Sequence, residues 1–461
     1  MQIMTPLEAR PFILEEFGDV KLGNGKRRRR LLSMAERLAQ RASGKVTEAF
    51  ENSAERQGAY KFFENDAIEA AAIGRSSYLA CARRCAGNSY VYICADGSSL
   101  AINDESGGKK LGPIGPRRGG CGVEVMSAIA IHANGTPVGI CGQSYWTRDK
   151  GQRLKKTRHL RTLEQKETRH WMEVIAQTEE AFAQEGGQCQ RWYQCDRGAD
   201  FREMLAWAQT TRALVTVRSA QNRIVCDNES RRLWDILLRQ SSLGKFNLEI
   251  TGRPKRKARI ACIEVRASKV SILLKDKQAK SQSSVVLTAV LAREEGTVPE
   301  GEKPIEWLLL TNYPAANFED ARKVIFGYSQ RWRIEEFHKS WKSVCGVEKI
   351  QLREYENIIK MATLLAAIAI RVERLKYLAR TAPELPANTE LNQSEIDALI
   401  ILRKPKSYKR GQVPTIGEAV RWIADLGGFT GKSSGGPPGS IVIGRGLLRL
   451  REASAVVEAL R

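Results

Sequence analysis

Apolar and polar positions alternate along this chain in blocks that predict a mixed α/β protein. Tyr90-Val-Tyr-Ile-Cys-Ala95 is a continuous apolar run rich in aromatic and β-branched residues, the pattern of a central strand that stops at Asp96-Gly-Ser-Ser99. The runs 123–131 and 136–145 flank Asn134-Gly135, which predicts a hairpin. A charged helix is expected over 163–184, a strand over 191–195 stopping at Asp196, a helix over 201–209 and a strand over 213–217. From about 219 to 310 the rhythm breaks into β-rich runs at 246–250, 258–265, 270–274, 285–290 and 307–311, interrupted by the basic stretch 253–257. Helices resume near 318 and continue to about 380, with Met361 to Ile370 reading as a buried helix. A linker holding Pro383 and Pro386 precedes helices near 394–403 and 416–426.

Both ends have their own pattern. Leu31 to Ala39 places apolar residues at helical spacing, directly after the run Lys26, Arg27, Arg28, Arg29 and Arg30. The glycine-rich segment 427–446 reads as a loop. Its Gly431-Lys432-Ser433 is not a phosphate loop, because position 426 is Leu and no strand leads in. The expected division is a helical unit over 1–75, an α/β core over 76–380 with a β-rich insertion at about 219–310, and a helical C-terminal unit over 381–461.

Composition narrows the class of partner. The chain of 461 residues is 42% hydrophobic, enough for a sizeable core, and carries a formal net charge of +22. That excess favours a polyanion, nucleic acid or an anionic membrane surface. No run of 18 apolar residues predicts a membrane span, and the N-terminus lacks a signal-peptide pattern. A cytoplasmic, nucleoid-associated protein is therefore expected. The ten cysteines form no Cys-x-x-Cys pair and the four histidines sit at no ligand spacing, so reduced buried thiols are expected rather than zinc. The basic run beside a helix suits contact with the DNA backbone, although a solvated tail is the plain alternative. Gly58-Ala-Tyr-Lys-Phe-Phe63 adds aromatics beside a lysine.

Three acids stand out by context. Asp96 and Asp196 each follow a predicted strand, and Glu335 lies in the helical stretch YSQRWRIEEFHKSWK. Carboxylates at the ends of neighbouring strands share one sheet edge, and a helix packed there can deliver a third. Taken singly, Asp96-Gly can be a turn and Asp196 a helix cap. An acid-only set with so few histidines points to Mg²⁺ or Mn²⁺. On one continuous helix, Tyr328, Arg331, Glu335 and Lys342 fall near 0°, −60°, −20° and −40° at about 100° per residue. Glu336 lies about 100° from Glu335 and is the weaker candidate. A phenol, a guanidinium, a carboxylate and an ammonium on one face suit a site holding both a metal and a phosphate.

The spacing Tyr328-x₂-Arg331-x₃-Glu335-x₆-Lys342 resembles the YREK signature of cut-and-paste DDE transposases of the IS-four family of bacterial insertion sequences. Asp96-Gly-Ser-Ser-Leu100 is similar to that family's first-Asp segment, and Cys195-Asp196-Arg197 with Ala199-Asp200 to its second. Gly58 to Phe62, Trp307 to Thr311 and Leu426 to Phe429 extend the likeness over nearly the whole chain. One departure is Gly97, where the family pattern has Thr.

The resemblance implies a ribonuclease-H-like core with the β-rich insertion between the second Asp and the Glu. It implies that Asp96, Asp196 and Glu335 bind two Mg²⁺, with Mn²⁺ able to substitute. Arg331 and Lys342 would hold the strand near the scissile phosphate, and Tyr328 a neighbouring phosphate. Trp307 would stack on a flipped base, with Trp332 supporting the distortion; ordinary core packing is the alternative for Trp307. The implied partners are double-stranded DNA, as terminal inverted repeats and target, and a second copy of the chain joined through the C-terminal region. A metal-dependent endonuclease without strand transfer and a catalytically idle DNA-binding repressor are the rival readings.

Overall fold

The structure is a computed structural model that describes residues 12–104, 107–115, 120–149, 162–226, 232–250, 257–276, 280–409, 411–431 and 436–460. It opens with five helices: α1 (Phe12–Phe17), α2 (Gly25–Gln40), α3 (Val46–Ala49), α4 (Ser53–Phe63) and α5 (Ala70–Cys85). Asn24 and Asn52 cap α2 and α4 by accepting the backbone N–H of Arg27 at 2.9 Å and of Glu55 at 2.8 Å. The basic run does not precede α2, as the sequence suggested, but forms its first turns. Cations at a helix N-terminus oppose the macrodipole. Tertiary packing decides the matter instead, because Leu31, Met34, Ala35 and Leu38 bury one face of α2.

The core follows: β1 (Tyr90–Ala101), β2 (Gly112–Pro113), β3 (Cys121–His132), β4 (Pro137–Trp146), α6 (Arg169–Glu185), β5 (Gln190–Cys195), α7 (Arg202–Thr210) and β6 (Leu214–Arg218). Strands β4, β3 and β1 form an antiparallel meander, and β5 and β6 continue from β1 in parallel. This is the arrangement the resemblance implied. The β3–β4 hairpin closes at Asn134-Gly135 as predicted; Gly135 takes φ +90° there, a conformation that favours glycine. Strand β1 does not stop at Asp96 but runs on to Ala101, held by β3, while its pairing with β5 ends at Ala95.

The insertion comprises α8 (Leu233–Arg239), β7 (Gly244–Ile250), β8 (Arg259–Asp276) and β9 (Ser281–Glu295), and the chain returns through β10 (Glu306–Thr311). These strands extend the core sheet, because β10 pairs with β6 and then β9, β8 and β7 follow in order. The two runs expected at 258–265 and 270–274 are one strand. Arg266 to Lys269 keep the ladder with Leu291 to Thr288 even where their side chains are polar. Residues 253–256 of the basic stretch lie outside the described residues.

Helices then cover the sheet: α9 (Phe318–Ser329), α10 (Trp332–Ser343) and α11 (Tyr355–Thr381), followed by α12 (Gln393–Arg403), α13 (Ile416–Leu426) and α14 (Ser440–Ala459). Helix α11 is buried along nearly its whole length and is the spine of the molecule. Its first half, to Ile370, belongs to the main core, and from Val372 onward it packs into the core of α12, α13 and α14. The glycine-rich loop expected over 427–446 is α14 from Ser440 onward. Gly427 and Gly446 are contact points between α13 and α14: a Cβ would fall 1.9 Å from the Val442 carbonyl oxygen and 1.7 Å from that of Ile423. Residues 432–433 of the rejected phosphate loop lie outside the described residues. Helix α5 runs through residue 75, so the N-terminal helices and the core share a helix. Among the described residues, no helix is long and apolar enough to cross a membrane.

Candidate active site

Two buried apolar runs set the first two acids side by side. Val91 to Ala95 and Trp192 to Cys195 are fully buried, and their parallel register pairs Ala95 with Cys195. The next residues are Asp96 and Asp196. Adjacent strands lie about 4.8 Å apart, so this register delivers both carboxylates to one edge. Asp96 stays in β1, opposite Ser127, and its Oδ1 accepts the Gly97 N–H at 2.8 Å. Asp196 leaves the strand and caps a 3₁₀ turn over Arg197–Ala199, its Oδ1 accepting the Gly198 N–H at 2.7 Å. Gly97 sits in regular strand with ordinary van der Waals space at its Cβ position, 3.6 Å from Met126, so no turn there depends on it.

The third acid comes from the helices, with one difference from expectation. The stretch from Tyr328 to Lys342 is not one continuous α-helix, because α9 ends at Ser329 and α10 begins at Trp332. At the junction Gln330 and Arg331 donate to carbonyls three residues back, Gly327 and Tyr328, at 3.1 Å each. This tighter 3₁₀ winding displaces Tyr328 from the simple helical wheel. Tyr328 is buried, its ring edge-on to half-buried Trp307 with centroids 5.1 Å apart. Glu335 and Lys342 lie two turns apart on α10. The Lys342 ammonium donates to the Ser99 carbonyl at 2.7 Å and stands 3.7 Å from Glu348. Trp332, at the start of α10, is 47% exposed.

Arg331 joins the acids. Its guanidinium donates to Asp96 Oδ2 and to Glu335 Oε1, both at 2.5 Å. Glu336 turns away, accepting from Lys376 at 3.1 Å and from Tyr377. The basic run stands apart on α2, with Lys26, Arg28, Arg29 and Arg30 exposed and Arg27 donating to the Leu22 carbonyl at 3.1 Å. Arg30 lies over Gly58 of α4, where a Cβ would fall 2.5 Å from its guanidinium.

A family model for the transposase DDE domain matches residues 135–371, just over half of the chain. The chain belongs to the DDE transposases. A transposase DNA-binding model matches residues 9–68, and a Tn5 transposase dimerisation model matches 367–461. The protein is therefore a DNA transposase, an enzyme of metal-dependent phosphoryl transfer, with DNA and a second copy of itself as partners. The DNA-binding match contains the basic run, and the dimerisation match contains α12, α13 and α14. Asp96 lies before the DDE match, whereas Asp196, Arg331, Glu335 and Lys342 lie inside it.

A DDE domain works with divalent metal ions, and the donor set of this transposase fits one: hard carboxylate oxygens gathered at a single sheet edge. Burial pushes the Asp96 carboxyl up to about 6, against the pull of Arg331, and the charges of Asp196 and Glu335 push the same way. Negative charge is thus crowded enough to call for a cation. Arg331 is one such cation: burial works against its charge, but Asp96, Tyr328 and Glu335 outweigh that and keep it protonated. As placed, no three His, Cys, Asp or Glu side chains among the described residues stand at joint metal-ligating distance. Two of the acids close on Arg331 instead.

Two residues of this neighbourhood escaped the sequence reading. Glu348 accepts the Ala101 N–H at 3.0 Å and faces Lys342, tying the segment after α10 to the end of β1. Arg333 donates to the Gly135 carbonyl at 3.2 Å and to Tyr377, fixing the start of α10 against the β3–β4 hairpin. Glu348 has no local signal. Arg333 had one, since it sits about 200° around the helix from Glu335.

Proposed function

We propose that this transposase binds terminal inverted repeats, cuts them with Mg²⁺ and joins them to target DNA. The observation that carries the reading is the register of β1 and β5, which sets Asp96 beside Asp196, together with Arg331, which ties Glu335 to the same edge. The N-terminal helices over 1–75 take the DNA ends, residues 76–380 cut, and residues 381–461 pair two copies.

Asp96, Asp196 and Glu335 would hold two Mg²⁺, for which Mn²⁺ can substitute. When bound, such ions acidify water and neutralise charge on a phosphate under attack. Arg331 then exchanges its carboxylate partners for phosphate oxygens, for which its planar fork is suited. Lys342 would hold the strand near the scissile phosphate with Arg331, and Tyr328 a neighbouring backbone phosphate. Water attacks phosphorus and frees a 3′-OH; this attacks the opposite strand to form a hairpin; the hairpin is reopened by water; and the 3′-OH attacks target DNA. Each step is an in-line displacement at phosphorus, so one set of residues serves all four. Trp307 would hold a base flipped from the stack near the cut, with Trp332 supporting the distortion; stacking returns about 1–3 kcal/mol.

The test incubates the protein with Mg²⁺, terminal DNA and a plasmid target. Joined product is expected. Cleavage without joining would favour a stand-alone nuclease, and tight end binding without cleavage would favour a repressor.

A further inference from the structure

The face of α10 that turns away from the acids carries a second polar lattice, which the chemistry above does not use. Arg333, Glu336 and Ser340 fall near 0°, −60° and −20° at about 100° per residue, and Glu335 points about 200° from Arg333. Each of the three is tied to α11. Tyr377 donates to Glu336, Ser340 donates to Glu373, and the Arg333 guanidinium lies over the Tyr377 ring, 3.9 Å from its centroid.

The lattice is completed from a third helix. Ser440, the first residue of α14, donates to Glu373 Oε1 at 2.6 Å and accepts from Lys376 at 3.2 Å. Lys376 also donates to Glu336 at 3.1 Å and forms an ion pair with Glu373. The side chains of Glu373 and Lys376 are only 1% and 5% exposed. Buried charges of this kind give little net stability compared with an apolar contact, and they are costly when one partner is lost. They do fix relative position, because each hydrogen bond has a preferred length and angle. Ser440 lies in the region matched by the dimerisation model, and Glu336 is the chain neighbour of Glu335.

We propose that Glu373, Lys376 and Ser440 are positioning residues through which the C-terminal dimerisation region sets the rotation of α10, and with it the placement of Glu335. The proposal rests on Glu335 being catalytic. Docking of α14 completes the lattice, and α10 then holds its carboxylate toward Asp96 and Asp196. A shift of α14 that withdraws Ser440 removes one donor from Glu373 and one acceptor from Lys376, which loosens the polar hold on α10.

The full-length protein tests this through Ser440→Ala, Lys376→Met and Lys376→Arg, with Glu335→Gln in parallel. For Ser440→Ala, amide exchange of α10 peptides should quicken at least fivefold while that of α2 and α4 stays unchanged. Its single-turnover cleavage of terminal DNA should fall at least threefold with end-binding affinity within twofold. Lys376→Met should lose at least tenfold in cleavage, and Lys376→Arg should recover part of that loss. Unchanged α10 exchange and cleavage in Ser440→Ala would overturn the proposal, as would equal losses of binding and cleavage. If Lys376→Met does not fold, the Ser440→Ala result decides alone. Normal cutting by Glu335→Gln would instead overturn the active-site reading.

Discussion

Arg331 has two carboxylate partners at 2.5 Å, one on each terminal nitrogen of its fork. In the proposed mechanism, exchanging these partners for phosphate oxygens would link DNA entry to release of Asp96 and Glu335 as metal ligands. Replacing Glu335 by Gln keeps the shape but removes a charged donor. We expect cleavage to fall by a factor on the order of 10² or more, with end binding within about twofold, as is common when one electrostatic contributor to a transition state is lost. Gel-shift and cleavage assays on one DNA substrate measure both. The buried strands that carry the chain to Asp96 and Asp196, and the helix that carries Glu335, were legible in the sequence, because strand and helix patterns are local. The Arg331 bridge was not, since it spans 235 positions from Asp96.

At the scale of the element, α10 is anchored by the side chains it buries: Ile334, Phe337, His338 and Trp341. Burial pushes the His338 imidazole down to about 3, with Lys342 and Arg331 adding to the effect. The unfolded chain titrates His near 6.5. Between those values the unfolded state binds the extra proton, so the stability His338 contributes is whole above about 6.5 and is lost as pH falls toward 3. Thermal unfolding between pH 7 and 4.5 should show a steeper loss of Tm for the native protein than for His338→Phe. The C-terminal helices offer a second case. Gly446→Ala would place a Cβ 1.7 Å from the Ile423 carbonyl oxygen, and the backbone cannot yield cheaply. Overpacking of this kind costs about 1–3 kcal/mol or more. Sedimentation and limited proteolysis should show weaker self-association and faster cleavage near α14. The glycines there looked like loop residues because composition cannot distinguish a turn from a close helix crossing.

For the whole molecule, the net charge of +22 and the exposed cations of α2 are proposed to strengthen DNA binding. The slope of log K against log salt should be steep and negative. Replacing Lys26, Arg28, Arg29 and Arg30 together by Gln should flatten it by about 0.9 for each side chain that contacts phosphate, at most about 4 in all. Binding titrations at several salt concentrations check this. An unchanged slope would mean that the run is solvated and that other cations hold the DNA.

By itself, the sequence determined what is local or periodic: the strands that precede Asp96 and Asp196, the Asn134-Gly135 hairpin, the buried run of α11 and the charge that selects a polyanion. Backbone conformation and burial pattern are encoded within a few residues of one another, so they can be read from spacing. Only the tertiary structure decided that the insertion strands join the core sheet, that α9 and α10 meet at a tight turn, and that Arg331 closes on two acids. It alone showed that α14 reaches the back of α10. Those outcomes depend on pairings between residues far apart in the chain, whose energies exist only once the core has brought them together.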